Sequence, residues 1–262
     1  MKIALLLPSR ERMSMRMRFI LTALSTCKSP DNFKIYIGVD KDDPTLDQLH
    51  KMASAIKNLV IVEQPIQDDK TNIHQIWNNL AGVSSEEILG LVGDDMYFVT
   101  HHWDRHILNQ FNGNTQNPGI GDTPEEQEMD RLECYRKNFR LVHCFDGHRP
   151  GDMCVNAFVH RMYYETTGYF TNPIFIRNWA DQWLWEIYNT FDSRVYLSDV
   201  HIEHDHVDFG RPNDSINQKM IQRDGGGHYS AKVWKESKHL RIEEANMWAK
   251  KLKLTPNLNA IT

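Results

Sequence analysis

The chain has 262 residues, 40% of them hydrophobic and 25% charged, which suits one large domain or two small ones with a buried core. A net charge of -5 and a pI of about 6.2 exclude a general electrostatic grip on nucleic acid, though not a local basic patch. No apolar run approaches the ~20 residues of a membrane span. The opening MKIALLLPSR has too short an apolar core for a signal peptide, and the four cysteines form no CxxC pair, so reduced thiols in a cytoplasmic protein are expected.

The first predicted element is a buried parallel strand over residues 3–7, a continuous apolar run stopped by Pro8. Ser14 is placed to cap a helix running to about residue 26. A second strand covers 33–39 and ends at Asp40, a helix covers 46–56, and a third strand covers 59–62. Helix 72–81 and strand 88–92 complete a strand–helix alternation that predicts an α/β layered sheet, mostly parallel and flanked by helices. Residues 112–128 are polar and rich in Gly, Pro and Asn, which predicts a surface loop. Further strands are expected at 140–145, 153–160, 195–197 and 200–202, helices at 179–188 and 240–253, and a loop or hinge at RDGGGHYS. No linker divides the chain. A single domain over 1–262 is expected, with 1–110 as one half and 111–262, carrying the C-terminal helix, as the other.

The chemistry concentrates where strands end. Strand 88–92 runs into Gly93 and then into two adjacent acids, Asp94 and Asp95. Like charges repel and are poorly solvated beside an apolar core, so a positive species is expected there, and removing one acid should relieve repulsion. A divalent cation is one reading, because hard ions such as Mg²⁺ or Mn²⁺ prefer carboxylate oxygens; an exposed turn with two solvated acids is the other. In HIEHDHVDFG, His204 and His206 share a face of an extended chain and one of them is placed to complete a metal shell. A polar loop, or a zinc site that also uses His201, competes with that reading. Arg10, Arg12, Arg16 and Arg18 follow the first strand and suit either a pyrophosphate or a solvated helix face. Asp181, in ADQW, is a candidate general base or a surface acid.

Together these segments resemble the nucleotide-sugar glycosyltransferases of the GT-A fold, especially the family 2 type. LLLPSRER resembles the first strand and turn that pack on the nucleotide, with Pro8, Ser9 and Arg10. IGVDKDDP resembles the second strand, whose terminal acid, Asp40, meets the uracil or ribose. NNLAG places Asn79 like the Asn-bearing helix ahead of the DXD motif, and VGDDMYFVTHHWD resembles the DXD region with Thr100 and Trp103-Asp104 after it. NWADQWLW resembles the helix whose acid is the base of inverting members, SDVHIEHDH the late EH-x-H segment, and DFGRPNDS the closing loop.

The resemblance implies a metal-dependent glycosyltransferase using Mn²⁺ or Mg²⁺ and a nucleotide-sugar donor, UDP-linked, with inversion at the anomeric centre. Asp95 matches the last acid of the motif and is assigned to the metal with His204 and His206. Asp94, with Pro8, Ser9, Arg10, Asp40 and Asn79, is assigned to the nucleotide sugar. Asp181 is the base, with Glu203 or Asp152 next. The departures are a DXD reduced to GDD and a segment, 112–150, with no counterpart. The acceptor is a glycan or, by analogy, a modified phage DNA base. Two other classes compete: a nucleotidyltransferase, disfavoured because Pro8-Ser9-Arg10 stands where a Gly-rich loop belongs, and a non-catalytic glycan- or partner-binding module.

Overall fold

A computed structural model describes residues 1–65, 72–111, 123–149, 151 and 153–262. Strands β1 (Ile3–Pro8), β2 (Phe33–Asp40), β3 (Leu59–Gln64) and β4 (Ile88–Leu91) alternate with helices α1 (Met13–Thr26), α2 (Leu46–Ala55) and α3 (Ile73–Val83). β5 (Met96–Phe98), α4 (Trp103–Leu108), α5 (Pro124–Asn138), β6 (Leu141–Phe145), β7 (Ala157–His160) and α6 (Met162–Thr167) follow. The chain then forms α7 (Ala180–Asn189), β8 (Arg194–His204), α8 (Ser215–Arg223), α9 (His228–Glu236) and α10 (Lys238–Leu252).

The strands form one sheet of order β3-β2-β1-β4-β7-β6-β8-β5. β1 pairs in parallel with β2 and β4, β2 with β3, and β6 with β8; β7 joins β4 and β6 antiparallel, and β5 joins β8 antiparallel. The expected mostly parallel α/β sheet is therefore present. The central strands β1 and β4 are apolar and buried throughout because both faces are covered. Ile3, Leu5 and Leu7 join one apolar cluster with Phe19 and Ile20 of α1, Leu49 of α2 and Trp103 of α4. Ala4 and Leu6 join the other, with Ile76 and Leu80 of α3, Trp183 and Leu184 of α7, Trp234 of α9 and Trp248 of α10.

Several expectations need correction. Of the predicted 112–128 loop, residues 112–122 lie outside the described residues, but 124–128 are the first turns of α5. Thr123 caps that helix reciprocally with Glu126, and Pro124 occupies its first turn; this start signal lies in the sequence TPEE. The strand predicted for 153–160 is only Ala157–His160. The two strands predicted at 195–197 and 200–202 are one, β8, whose register against β6 jumps from Cys144↔Leu197 to Phe145↔His201. The irregularity interrupts the apolar pattern without ending the strand. β5, α4 and α6 were not predicted because three to six residues show no readable period.

Candidate active site

A cavity of about 680 Å³ opens beyond the carboxyl ends of β1 and β4, within the usual size of a small-molecule site. That is where open parallel sheets place ligands. Pro8, Ser9, Arg10, Asp94, Asp95, Asp181, His204 and His206 all line it. Asp40 and Asn79 do not. Asp40 is buried at the end of β2 and takes a hydrogen bond from Arg10 Nη1 at 2.5 Å, and the same guanidinium clasps Asp42 at 2.7 and 3.0 Å. Asn79 donates to Gln64 Oε1 at 2.9 Å beside a smaller hollow.

Each of the paired acids has its own cation. Asp94 accepts from Ser9 Oγ at 2.5 Å and from Arg12 Nη1 at 2.8 Å. Burial raises its pKa above the ordinary carboxylate value, against the pull of Arg12. Asp95 stands 3.3 Å from Arg211 Nη2 and 3.5 Å from His204 Nε2. Burial pushes its pKa up too, but His204, Arg211 and Arg12 outweigh it and hold the group at about 2. The β5–β8 ladder sets this geometry: Met96 is paired with His204, and Asp205 N–H donates to Asp95 O at 2.9 Å. Gly93 completes it, since a Cβ there would lie 2.6 Å from Asp95 Oδ1.

Arg12 and Arg211 are both tied to Asp214, at 2.7 and 3.4 Å, which draws the segment before α8 over the acids. The sequence points to Arg12 and to the loop, but not to Arg211 or Asp214 within it. Arg16 and Arg18 do not reach the cavity. Arg16 is fully buried, donating to Ser9 Oγ at 2.7 Å and pairing with Asp43 at 2.7 Å. Arg18 pairs with Asp205 at 2.8 Å and lies over the ring of Tyr97. The Trp103-Asp104 pair is structural: Asp104 accepts from the N–H groups of Lys28 and Ser29 and from Asn32.

No protein-family model matches the chain, and no curated protein matches it. Solved structures do. The mannosyltransferase PcManGT from Pyrobaculum calidifontis, in complex with GDP-Man and Mn2+, is 12% identical with a TM-score of 0.55, over 99% of this chain and 68% of that one. S. aureus TarS 1-349 in complex with UDP-GlcNAc is 11% identical with a TM-score of 0.54, over 100% of this chain and 82% of that one. The same protein with UDP gives 9% and 0.55, over 90% and 72%. The chain has a nucleotide-sugar glycosyltransferase fold.

In this GT-A-like fold the start of α7 lines the same cavity as the acids. Asp181 lies there with its Oδ1 accepting from the N–H of Gln182 at 2.9 Å, and burial raises its pKa. Trp179, before it, has a left-handed φ of 78° and stacks on Trp234 with centroids 4.7 Å apart. Glu203 is held between His148 Nε2 at 3.0 Å and His201 Nε2 at 2.6 Å, away from the cavity lining. Asp152 lies outside the described residues.

Asp95, His204 and His206 do not come together as a three-ligand set: among the described residues, no group of three or more His, Cys, Asp or Glu side chains is arranged to hold a metal ion. His206 sets its ring 5.0 Å from that of His204 and its Nδ1 3.3 Å from Asp208. Asp95 Oδ1 and His204 Nε2, 3.5 Å apart, do fit two ligands of one ion held at ~2.1 Å from each. His204 Nδ1 is buried without a hydrogen-bond partner, so this imidazole has polar capacity that the described protein groups leave unused. No described helix is long and apolar enough to cross a membrane.

Proposed function

We propose that this chain is a glycosyltransferase that moves a sugar from a nucleotide-sugar donor, UDP-linked, to a hydroxyl acceptor with inversion. The observation that carries the reading is the meeting, in one cavity, of a paired-acid strand end, arginines from the first turn and the 207–214 segment, and a half-buried carboxylate at the start of α7. The first turn and Trp77, whose Nε1 donates to Leu6 O at 3.1 Å, form the nucleotide side. Arg12 and Arg211 lie where negative charge develops as the diphosphate leaves, and fixed guanidinium groups need no reorganisation to meet it. Asp95 and His204 would hold Mn²⁺ or Mg²⁺, which supplies further positive charge to that diphosphate when bound. Asp181 takes the proton of the attacking hydroxyl, and its raised pKa favours that role over a solvated acid.

The neighbours bound to GDP-Man and UDP-GlcNAc support a nucleotide-sugar donor without choosing between bases. The deciding experiment is calorimetric titration with UDP and GDP, with and without Mn²⁺, followed by donor hydrolysis in the absence of acceptor. UDP binding strengthened by Mn²⁺ is expected, with slow release of sugar. Absence of binding to either nucleotide overturns the proposal, and binding without any hydrolysis or transfer leaves a nucleotide-binding module in its place.

A further inference from the structure

The cations of the cavity are not all accounted for by its acids. Arg10 is paired with Asp40 and Asp42, Arg12 with Asp94 and Asp214, Arg211 with Asp95 and Asp214, and Arg149 with Asp146. Arg177 and Lys219 also line the cavity, and neither has a carboxylate within ion-pair distance among the described residues. Arg177 is partly buried. Its Nη2 donates to the amide oxygen Asn217 Oδ1 at 2.5 Å, a neutral acceptor that helps to hold the guanidinium against α8. Asp224, Asp208 and Asp95 act on it only across a distance, Arg12 opposes them, and its burial is not offset by a contacting anion. A desolvated guanidinium facing a cavity with no anion of its own is costly unless a ligand supplies one.

The position of Arg177 says which ligand. It precedes α7 by three residues, on the segment that carries Trp179 and then Asp181. Trp179, pinned on Trp234, fixes that segment. In the transferase reading the paired acids, the first turn and Arg12 at the strand ends serve the donor, and the segment 177–181, which lines the same cavity and leads to the base, serves the acceptor.

We infer that the second substrate, the acceptor, is an anionic saccharide whose carboxylate or phosphate pairs with Arg177 and Lys219 while its hydroxyl meets Asp181. This rests on the transferase reading above. A nucleic-acid acceptor is also anionic, but it asks for a row of cations along its backbone, and a chain of net charge -5 does not provide a general one.

The test uses the whole chain saturated with UDP and Mn²⁺, at one fixed salt concentration, titrated by calorimetry with four probes: methyl glucoside, methyl glucuronide, glycerol phosphate and a short oligothymidylate. The glucuronide or the phosphate should bind about tenfold more tightly than the neutral glucoside, the preference a desolvated charge-assisted pair supplies. Which of the two wins identifies the acidic group. Arg177→Met and the exposed Lys219→Met should each shrink that preference, Arg177→Lys should keep most of it, and UDP affinity should stay within about twofold throughout. Equal binding of the glucoside and both anions by the unmodified protein overturns the inference. So does a loss of UDP affinity in Arg177→Met as large as the loss of anion affinity, which would give Arg177 to the diphosphate. Tighter binding of the oligothymidylate than of either small anion would replace the saccharide by nucleic acid. Failure of the unmodified protein to bind UDP at all falls on the transferase reading itself, and the inference goes with it.

Discussion

Asp94 takes its hydrogen bonds from Ser9 and Arg12, while Asp95 faces Arg211 and His204. Each of the adjacent acids thus has a contacting cation of its own, and the relief of their mutual repulsion expected on removing one competes with the loss of that ion pair. Asp95→Ala leaves Arg211, whose side chain is only 8% exposed, with Asp214 as its remaining anion and should cost about 1–3 kcal/mol in chemical denaturation. The same variant should lose the Mn²⁺-dependent part of UDP affinity; a titration in which Mn²⁺ still strengthens UDP binding would remove Asp95 from the metal. The pKa of Asp95, depressed to about 2, fixes the direction with pH: its contribution is complete above the ordinary carboxylate range, ~4, and is lost as pH falls through about 2. Stability of the unmodified protein should thus decline across that acid window more than that of Asp95→Asn. Asp181 shifts the other way. Asp181→Asn should leave UDP affinity in place and lower transfer by roughly 10²–10⁴-fold, and near-normal turnover would move the base elsewhere.

At the scale of elements, α7 carries Asp181 and is fixed from behind by α10. Glu244 of α10, itself buried, accepts from Tyr163 at 2.5 Å, Tyr169 at 2.5 Å and Trp183 at 2.8 Å. Arg241 pairs with Glu186 at 2.8 Å with both side chains out of solvent, and its guanidinium lies 3.7 Å from the ring centroid of Trp234. A carboxylate with three donors and a stacked, paired guanidinium leave α7 few alternatives in position. Glu244→Gln turns part of an acceptor into a donor facing donors, and should lower stability by about 1–3 kcal/mol. Arg241→Met leaves Glu186 buried without its cation and should lower it by about 3–5 kcal/mol. Both are read from denaturant midpoints, with unchanged slopes showing that the unfolding reaction is the same. A midpoint for Arg241→Met equal to that of the unmodified protein would mean that α7 is held by apolar packing alone.

For the whole molecule, the sheet is continuous from β3 to β5, and ion pairs cross between its halves: Arg12 with Asp214, Arg18 with Asp205, and Arg211 with Asp95. The acids of the strand end therefore meet their partners only when residues near the beginning and near position 210 are folded together. Unfolding should be one transition, with calorimetric and van't Hoff enthalpies equal; two resolved transitions would separate residues 1–110 from the rest.

Much of this was legible in the sequence because it is local. Unbroken apolar runs such as residues 3–7 define strands buried on both faces, and the acids after strand 88–92 mark a strand end as a site, whatever packs around it. The choice of Asp94, Asp95, Asp181, His204 and His206 as site residues rested on their types, their order and the resemblance to GT-A glycosyltransferases, and the structure brings all five to one cavity. What the sequence left open is contact across long separations. Nothing near Asn79 says that its amide meets Gln64 and its neighbour Asn78 the backbone of Phe170 and Thr171. Nothing near Asp95 says that Arg211, rather than an adjacent arginine, neutralises it. Of the four arginines after the first strand, Arg10 and Arg12 reach the cavity and Arg16 and Arg18 do not, because helix α1 turns the last two toward Asp43 and Asp205. Pattern and propensity act between neighbours in the chain, whereas the partner of a buried charge is chosen by the tertiary packing that removes it from water.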